Sequence, residues 1–74
     1  MTALSELKPG EKAAVVYIDD DQEKQRLFNL GIVEGTTIES LYKSPSGNPA
    51  AYLIRGTVFA LRNATAEKIK INKI

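Results

Sequence analysis

"RLFNLGIVEGTTI", residues 26–38, changes backbone character twice within a short span. Arg26 to Leu30 has the composition of a helix end and Thr36 to Ile38 that of a strand, with Gly31 and Gly35 between them. Gly31 falls just after the helix, where a left-handed residue closes the last turn and a Cβ would be costly. Ile32 then stands where that closing motif places an apolar contact back on Leu27. Val33-Glu34-Gly35-Thr36 makes a second tight turn, with glycine at its third position. A phosphate-cradling loop does not fit. Such loops precede a helix N-terminus, whereas these glycines follow a C-terminus, whose dipole repels anions. The junction builds the fold.

Upstream, the helix is expected from Asp21 to Leu30, with Leu27 and Leu30 on one face. Asp20 reads as its N-cap and Glu23 as the partner of a capping box, with negative charge at the positive end of the dipole. The Asp19-Asp20-Asp21 run lacks the spaced ligands, glycine and closing glutamate of a calcium loop, so capping is the better reading. Lys8-Pro9-Gly10-Glu11 is a turn, proline pre-setting its second position and glycine its third. Leu4 and Leu7 before it are placed to cap an open end of the core. The strand Lys12–Ile18 follows, its alternation placing Ala14, Val16 and Ile18 on one face and Val15 and Tyr17 on the other.

Downstream, Thr36–Lys43 is a second strand, bulged because Ile38 and Leu41 do not share a period-2 face. Ser44–Pro49 is dense in turn formers and reads as a hairpin tip. Ala50–Arg55 and Thr57–Arg62 are strands three and four, broken apart by Gly56. Asn63 is expected to cap one helical turn through Ala66. Ile69 and Ile71 alternate with Lys68, Lys70 and Asn72 in a closing fifth strand. The fold class is therefore all-β: a small, partly open five-stranded barrel with one short α-helix between strands 1 and 2. Closing a sheet on itself is how a short chain hides its edges.

Seventy-four residues make one domain, residues 1–74, with no room for a second core. Cysteine and histidine are both absent, which removes thiol catalysis, thiolate metal sites and the usual imidazole base. No stretch approaches the ~20 apolar residues that span a bilayer. The start, MTALSELKPGEK, has no basic region followed by an apolar one, so a cytoplasmic location is expected. Net charge is +1, but residues 1–40 balance at −4 and residues 41–74 at +5. Such asymmetry can mark a basic face for an acidic partner, unless both halves wrap one body.

Taken in order, these pieces resemble the FeoA family, small cytoplasmic proteins of bacterial ferrous iron uptake. The match runs through Leu7-Lys8-Pro9-Gly10, Arg26-Leu27, Leu30-Gly31-Ile32 and Glu34-Gly35. It continues through Ser44-Pro45, Gly47, Gly56, Phe59-Ala60-Leu61-Arg62, Ala66 and Ile69-Lys70-Ile71. Each piece is common alone, and the specificity lies in their order and spacing. Glu34 stands where the family often has proline, a change that a type II turn tolerates. The resemblance implies an SH3-like barrel, related to the C-terminal domain of iron-dependent repressors. It also implies action beside FeoB, a membrane permease with a cytoplasmic GTPase domain. It carries over no catalytic residue and no cofactor.

Among function classes, an enzyme is the weakest, because no nucleophile, base or electrophile is brought together. Binding of single-stranded nucleic acid needs a basic groove interleaved with aromatics. Lys43, Arg55, Arg62, Lys68, Lys70 and Lys73 offer charge, but the chain has no tryptophan and a near-zero net charge. That class, or an iron-dependent regulatory module, is the alternative, and nucleic acid is not expected as a partner. Carboxylates and carbonyls could hold a hard or borderline metal ion only weakly. Tyr17, Tyr42 and Tyr52 are expected as half-buried strand residues. A monomeric protein-interaction module fits best, reaching the membrane only through its partner. Its candidate contact residues are Arg26 and Phe28, which lie off the Leu27/Leu30 stripe, and Arg62, which ends strand four. An exposed aromatic with arginines is the side-chain mix that dominates many interfaces.

Overall fold

The computed structural model describes the whole chain, Met1–Ile74. Its elements in order are β1 (Thr2–Ala3), a 3-10 turn (Leu4–Glu6), β2 (Lys12–Ile18), α1 (Asp21–Asn29), β3 (Thr37–Lys43), β4 (Ala50–Ile54), β5 (Thr57–Leu61), α2 (Asn63–Ala66) and β6 (Ile69–Lys73). The strands form one antiparallel sheet in the order β1-β6-β2-β3-β4-β5, with β1 and β5 at its two ends. The sheet does not close. It holds one strand more than the five expected, because Thr2 and Ala3 pair with Ile71 and Lys70. Two residues are too few to show a period, so this strand carries no signal in sequence.

Helix α1 is cut as the opening stretch predicts. Ile32 N–H donates to the Leu27 carbonyl (2.9 Å) and Gly31 N–H to the Phe28 carbonyl (2.9 Å), while Gly31 has φ +86°. Both bonds of the Schellman closure are present, and Leu27 and Ile32 are buried in the same core. Thr36 N–H then donates to the Val33 carbonyl (3.0 Å), closing the second turn. Leu30 departs from expectation. It is the C-cap and is 52% exposed, so Leu27 alone carries the buried face of α1.

At the other end of α1, Asp20 Oδ1 accepts the N–H groups of Gln22 (2.8 Å) and Glu23 (3.2 Å). The reciprocal half of a capping box is not made, because the Glu23 carboxylate turns instead to Arg26.

Two strands bend. In β2 the register shifts between Val15 and Tyr17, and in β3 between Ser40 and Tyr42. The β3 shift is the expected bulge. The β2 shift overturns the expected face: Ala13 and Val15 point to the core before it and Ile18 after it, while Ala14 and Val16 are only half-buried. A bulge inserts one residue and flips the alternation beyond it. On β6, Ile69 and Ile71 are buried as their alternation requires.

Leu4 and Leu7 are fully buried, and α2 packs against the 3-10 turn that carries Leu4. Leu4, Leu7 and Ala66 of α2 join the same core as the sheet residues. Asn63 does not cap α2. Arg62 is the N-cap and offers no side-chain bond, while Asn48 from the β3–β4 loop accepts the Asn63 N–H at 3.0 Å. A long-range acceptor has replaced the local one.

Candidate functional site

The acidic first half and basic second half of the chain interleave. Lys68 Nζ meets Asp20 Oδ2 at 3.0 Å and Lys73 Nζ meets Glu11 Oε2 at 3.3 Å. Lys70 donates to the Glu67 carbonyl (2.7 Å) and Lys43 to that of Ser5 (3.3 Å). The cations of β6 and its approach are thus engaged with the protein itself. Arg55 and Arg62 alone among the second-half cations make neither an ion pair nor a side-chain hydrogen bond.

The tyrosines do not behave alike. Tyr52 is fully buried, Tyr17 is 39% exposed and Tyr42 is 61% exposed. Burial pushes the Tyr52 phenol above its ordinary pKa. Its hydroxyl and that of Ser40, its cross-strand neighbour, have no hydrogen-bond partner within the protein. No three carboxylates come together as a potential metal site.

A shallow hollow of about 240 Å³ lies beside α1, lined by Ile18, Lys24, Phe28, Ile32, Val33 and Glu34. That volume is below the ~300–1,000 Å³ of small-molecule pockets and suits one or two side chains of a partner. The junction 26–38 creates it. Closure at Gly31 turns the chain back so that Ile32 and Val33 lie beside Phe28, one helical turn after Lys24. Phe28 is 60% exposed, a large apolar side chain standing on the rim of an apolar hollow. Lys24 and Glu34 pair loosely across the same rim at 3.8 Å, each about half exposed.

Arg26 also reaches solvent, its side chain 71% exposed, but its guanidinium donates to Glu23 Oε1 at 2.8 Å. Glu23 is the less exposed member, and its second oxygen is buried without a partner. Arg26 is therefore a partly committed charge. Arg62 is exposed at the end of β5 and does not line the hollow. The structure thus gathers Phe28 with Lys24 and Glu34, which sequence reasoning missed, and leaves Arg62 on another part of the surface. Position i, i+4 on α1 was the available signal for Lys24.

The family model for the FeoA domain matches residues 2–73. The chain belongs to the FeoA family. It is 32% identical over 72 residues to a Fe(2+) transport protein A/Fe(2+) transporter FeoB fusion protein of Porphyromonas gingivalis. That match takes in 96% of this chain and 8% of the relative, so the chain spans only a small part of that protein. The solution structure of the FeoA protein of Chlorobium tepidum superposes with a TM-score of 0.90 at 31% identity, covering 99% of this chain and 70% of that one. The FeoA of Stenotrophomonas maltophilia, a zinc-complexed SH3 domain protein suggested to activate bacterial ferrous iron transport, gives a TM-score of 0.85 at 31% identity. That match covers 97% of this chain and 91% of the relative. A manganese-dependent transcriptional repressor, 17% identical, shares the fold over 99% of this chain and 41% of its own (TM-score 0.89). The architecture is a small SH3-like all-β fold. No helix is long and apolar enough to cross a membrane.

Proposed function

We propose that this FeoA chain is a non-catalytic cytoplasmic accessory protein of ferrous iron uptake, and that it acts by binding the cytoplasmic part of a FeoB-type GTPase permease. The observation that carries this reading is the P. gingivalis fusion, in which a segment similar to nearly the whole of this chain belongs to the same polypeptide as the transporter. A covalent link holds two modules at high effective concentration, an arrangement of use to a domain that works beside its partner.

Phe28 is the proposed apolar anchor, docking with the hollow beside it. Arg26 and Arg62 are the proposed cationic contacts, Arg62 from a separate part of the surface. Aromatic and arginine side chains carry a large share of interface energy elsewhere. Co-purification with the isolated cytoplasmic part of the permease tests the reading. The wild-type chain is expected to be retained, and the folded Phe28→Ser variant to be lost. Absence of retention for the wild-type chain would remove the proposal.

A further inference from the structure

Strand β5 has a free long edge. It ends the sheet, bonding to β4 on one side and to no strand on the other. The β4–β5 connection is a two-residue turn in which Arg55 has φ 52° and Gly56 φ 78°, the type I′ geometry of a tight hairpin. In such a hairpin the residues flanking the turn, Ile54 and Thr57, form a hydrogen-bonded pair, and such pairs alternate along the ladder. Phe59 and Leu61 are therefore bonded to Tyr52 and Ala50. The N–H and C=O groups of Val58 and Ala60 point away from β4, toward the open edge. No backbone bond from a turn, loop or cap reaches these residues.

Natural edges are usually blunted by charge, proline, a bulge or a covering segment. Here the edge reads Thr57-Val58-Phe59-Ala60-Leu61, uncharged and without proline, and its pairing with β4 runs without a register shift. Val58 is 56% exposed on the outer face. Charge appears only at the two ends, as Arg55 and Arg62, the two second-half cations with no partner of their own.

We infer that the β5 edge takes up an extended segment of a partner protein by strand addition, and that the segment is a β-branched or apolar strand flanked by carboxylates. Main-chain bonds to Val58 and Ala60 supply the docking, and Arg55 and Arg62 read the acidic flanks. A second copy of this chain is a poor occupant. Antiparallel pairing through the same groups sets Val58 opposite Ala60 of the other copy, which brings each Arg62 to the Arg55 end of its neighbour. Like charges so placed oppose pairing. The bonding groups of Val58 and Ala60 lie outside the α1 hollow, whereas Arg62 is also a proposed permease contact and Arg55 lies beside Gly31. Val58→Pro and Phe28→Ser therefore tell the two readings apart: loss of peptide binding with permease binding kept, or the reverse, concerns one reading alone.

The test is amide hydrogen exchange and chemical-shift mapping of the full chain. The probe is a blocked synthetic peptide with a Thr-Val-Thr-Val-Thr centre and Asp-Glu on both flanks. The Val58 and Ala60 amides should exchange freely in the protein alone and slow by about tenfold at a tenfold excess of free peptide over Kd. Val58→Pro deletes a donor that β4 does not use and should abolish binding. Arg62→Glu, at an exposed position, should weaken binding by up to about fivefold. The same peptide with lysine flanks should bind more weakly than it does with acidic flanks. The inference is overturned if Val58 and Ala60 are already protected without peptide, whether within the chain or by self-association. It is equally overturned if the lysine-flanked peptide binds as tightly, or if the shifts centre on Phe28 and Ile32.

Discussion

The Lys68 ammonium lies 3.0 Å from the Asp20 carboxylate, which also accepts the Gln22 and Glu23 N–H groups in the first turn of α1, so one side chain ties the helix start to the entry of β6. The Asp20 carboxyl is held below the ordinary aspartate range, chiefly by the Lys68 hydrogen bond and then by the Glu23 N–H. Lys68 is pushed above the ordinary lysine range, chiefly by Asp20. A carboxyl with a lowered folded pKa stabilises the fold above the ordinary aspartate range and loses that contribution as pH falls through the lowered value. A lysine with a raised pKa stabilises below the ordinary lysine range and loses its contribution as pH rises through the raised value. Asp20→Asn keeps a cap acceptor but removes the ion pair. The difference in Tm between wild type and this variant should be steady near neutrality. It should shrink below about pH 4 and above about pH 10. A difference that ignores pH would show that the pair does not couple to folding.

Gly31 is the residue on which the helix stop depends. Its φ of +86° is available to glycine, while a Cβ there would meet only ordinary contacts, nearest Arg55 Cδ at 3.7 Å. The cost of Gly31→Ala is therefore conformational, about 1 kcal/mol in urea unfolding. Unchanged stability would mean that the closure is not the fold's natural one.

Tyr52 and Ser40 bury hydroxyls with no partner within the protein. Removing an unsatisfied buried hydroxyl removes its desolvation cost, so Tyr52→Phe should leave stability unchanged or raise it by about 1 kcal/mol. A loss of that size would reveal a bond that the hydroxyl makes.

Ferrous ion should find no tight site on this chain alone. With no histidine or cysteine and no cluster of three carboxylates, the donors offered are scattered oxygens. Calorimetry at neutral pH should show no submicromolar Fe(II) binding. Such binding would move the function from docking to metal handling.

Features set by neighbours in sequence could be read in advance. The Asp20 cap, the Gly31 closure, the 8–11 turn and the alternation of Ile69 and Ile71 all rest on residues within one or two turns of each other. Features that depend on register or on distant segments could not. The bulge at Val15–Tyr17 inverted the expected face of β2, and the Asn48 acceptor displaced Asn63 as the α2 cap. Leu30 has an apolar side chain in helical phase with Leu27, yet the chain turns away before that phase can be used. The same division holds for the surface. Exposure of Phe28 follows from helical phase, whereas the hollow beside it draws Ile18 from β2 and Glu34 from a turn. Arg26 was legible as solvent-facing, but its tie to Glu23 was not. Arg62 proved free of any ion pair, though remote from the hollow.

The most direct measurement is a titration of the isotope-labelled chain with the cytoplasmic part of the permease, followed by backbone amide shifts. The account predicts saturable shifts on α1 and around Phe28, Ile32 and Val33, lost in a Phe28→Ser variant whose Tm matches wild type. That match in Tm is expected because Phe28 is an exposed residue outside the core cluster. Saturable binding that the folded Phe28→Ser variant retains in full, or the absence of any shift at saturating permease, would contradict it.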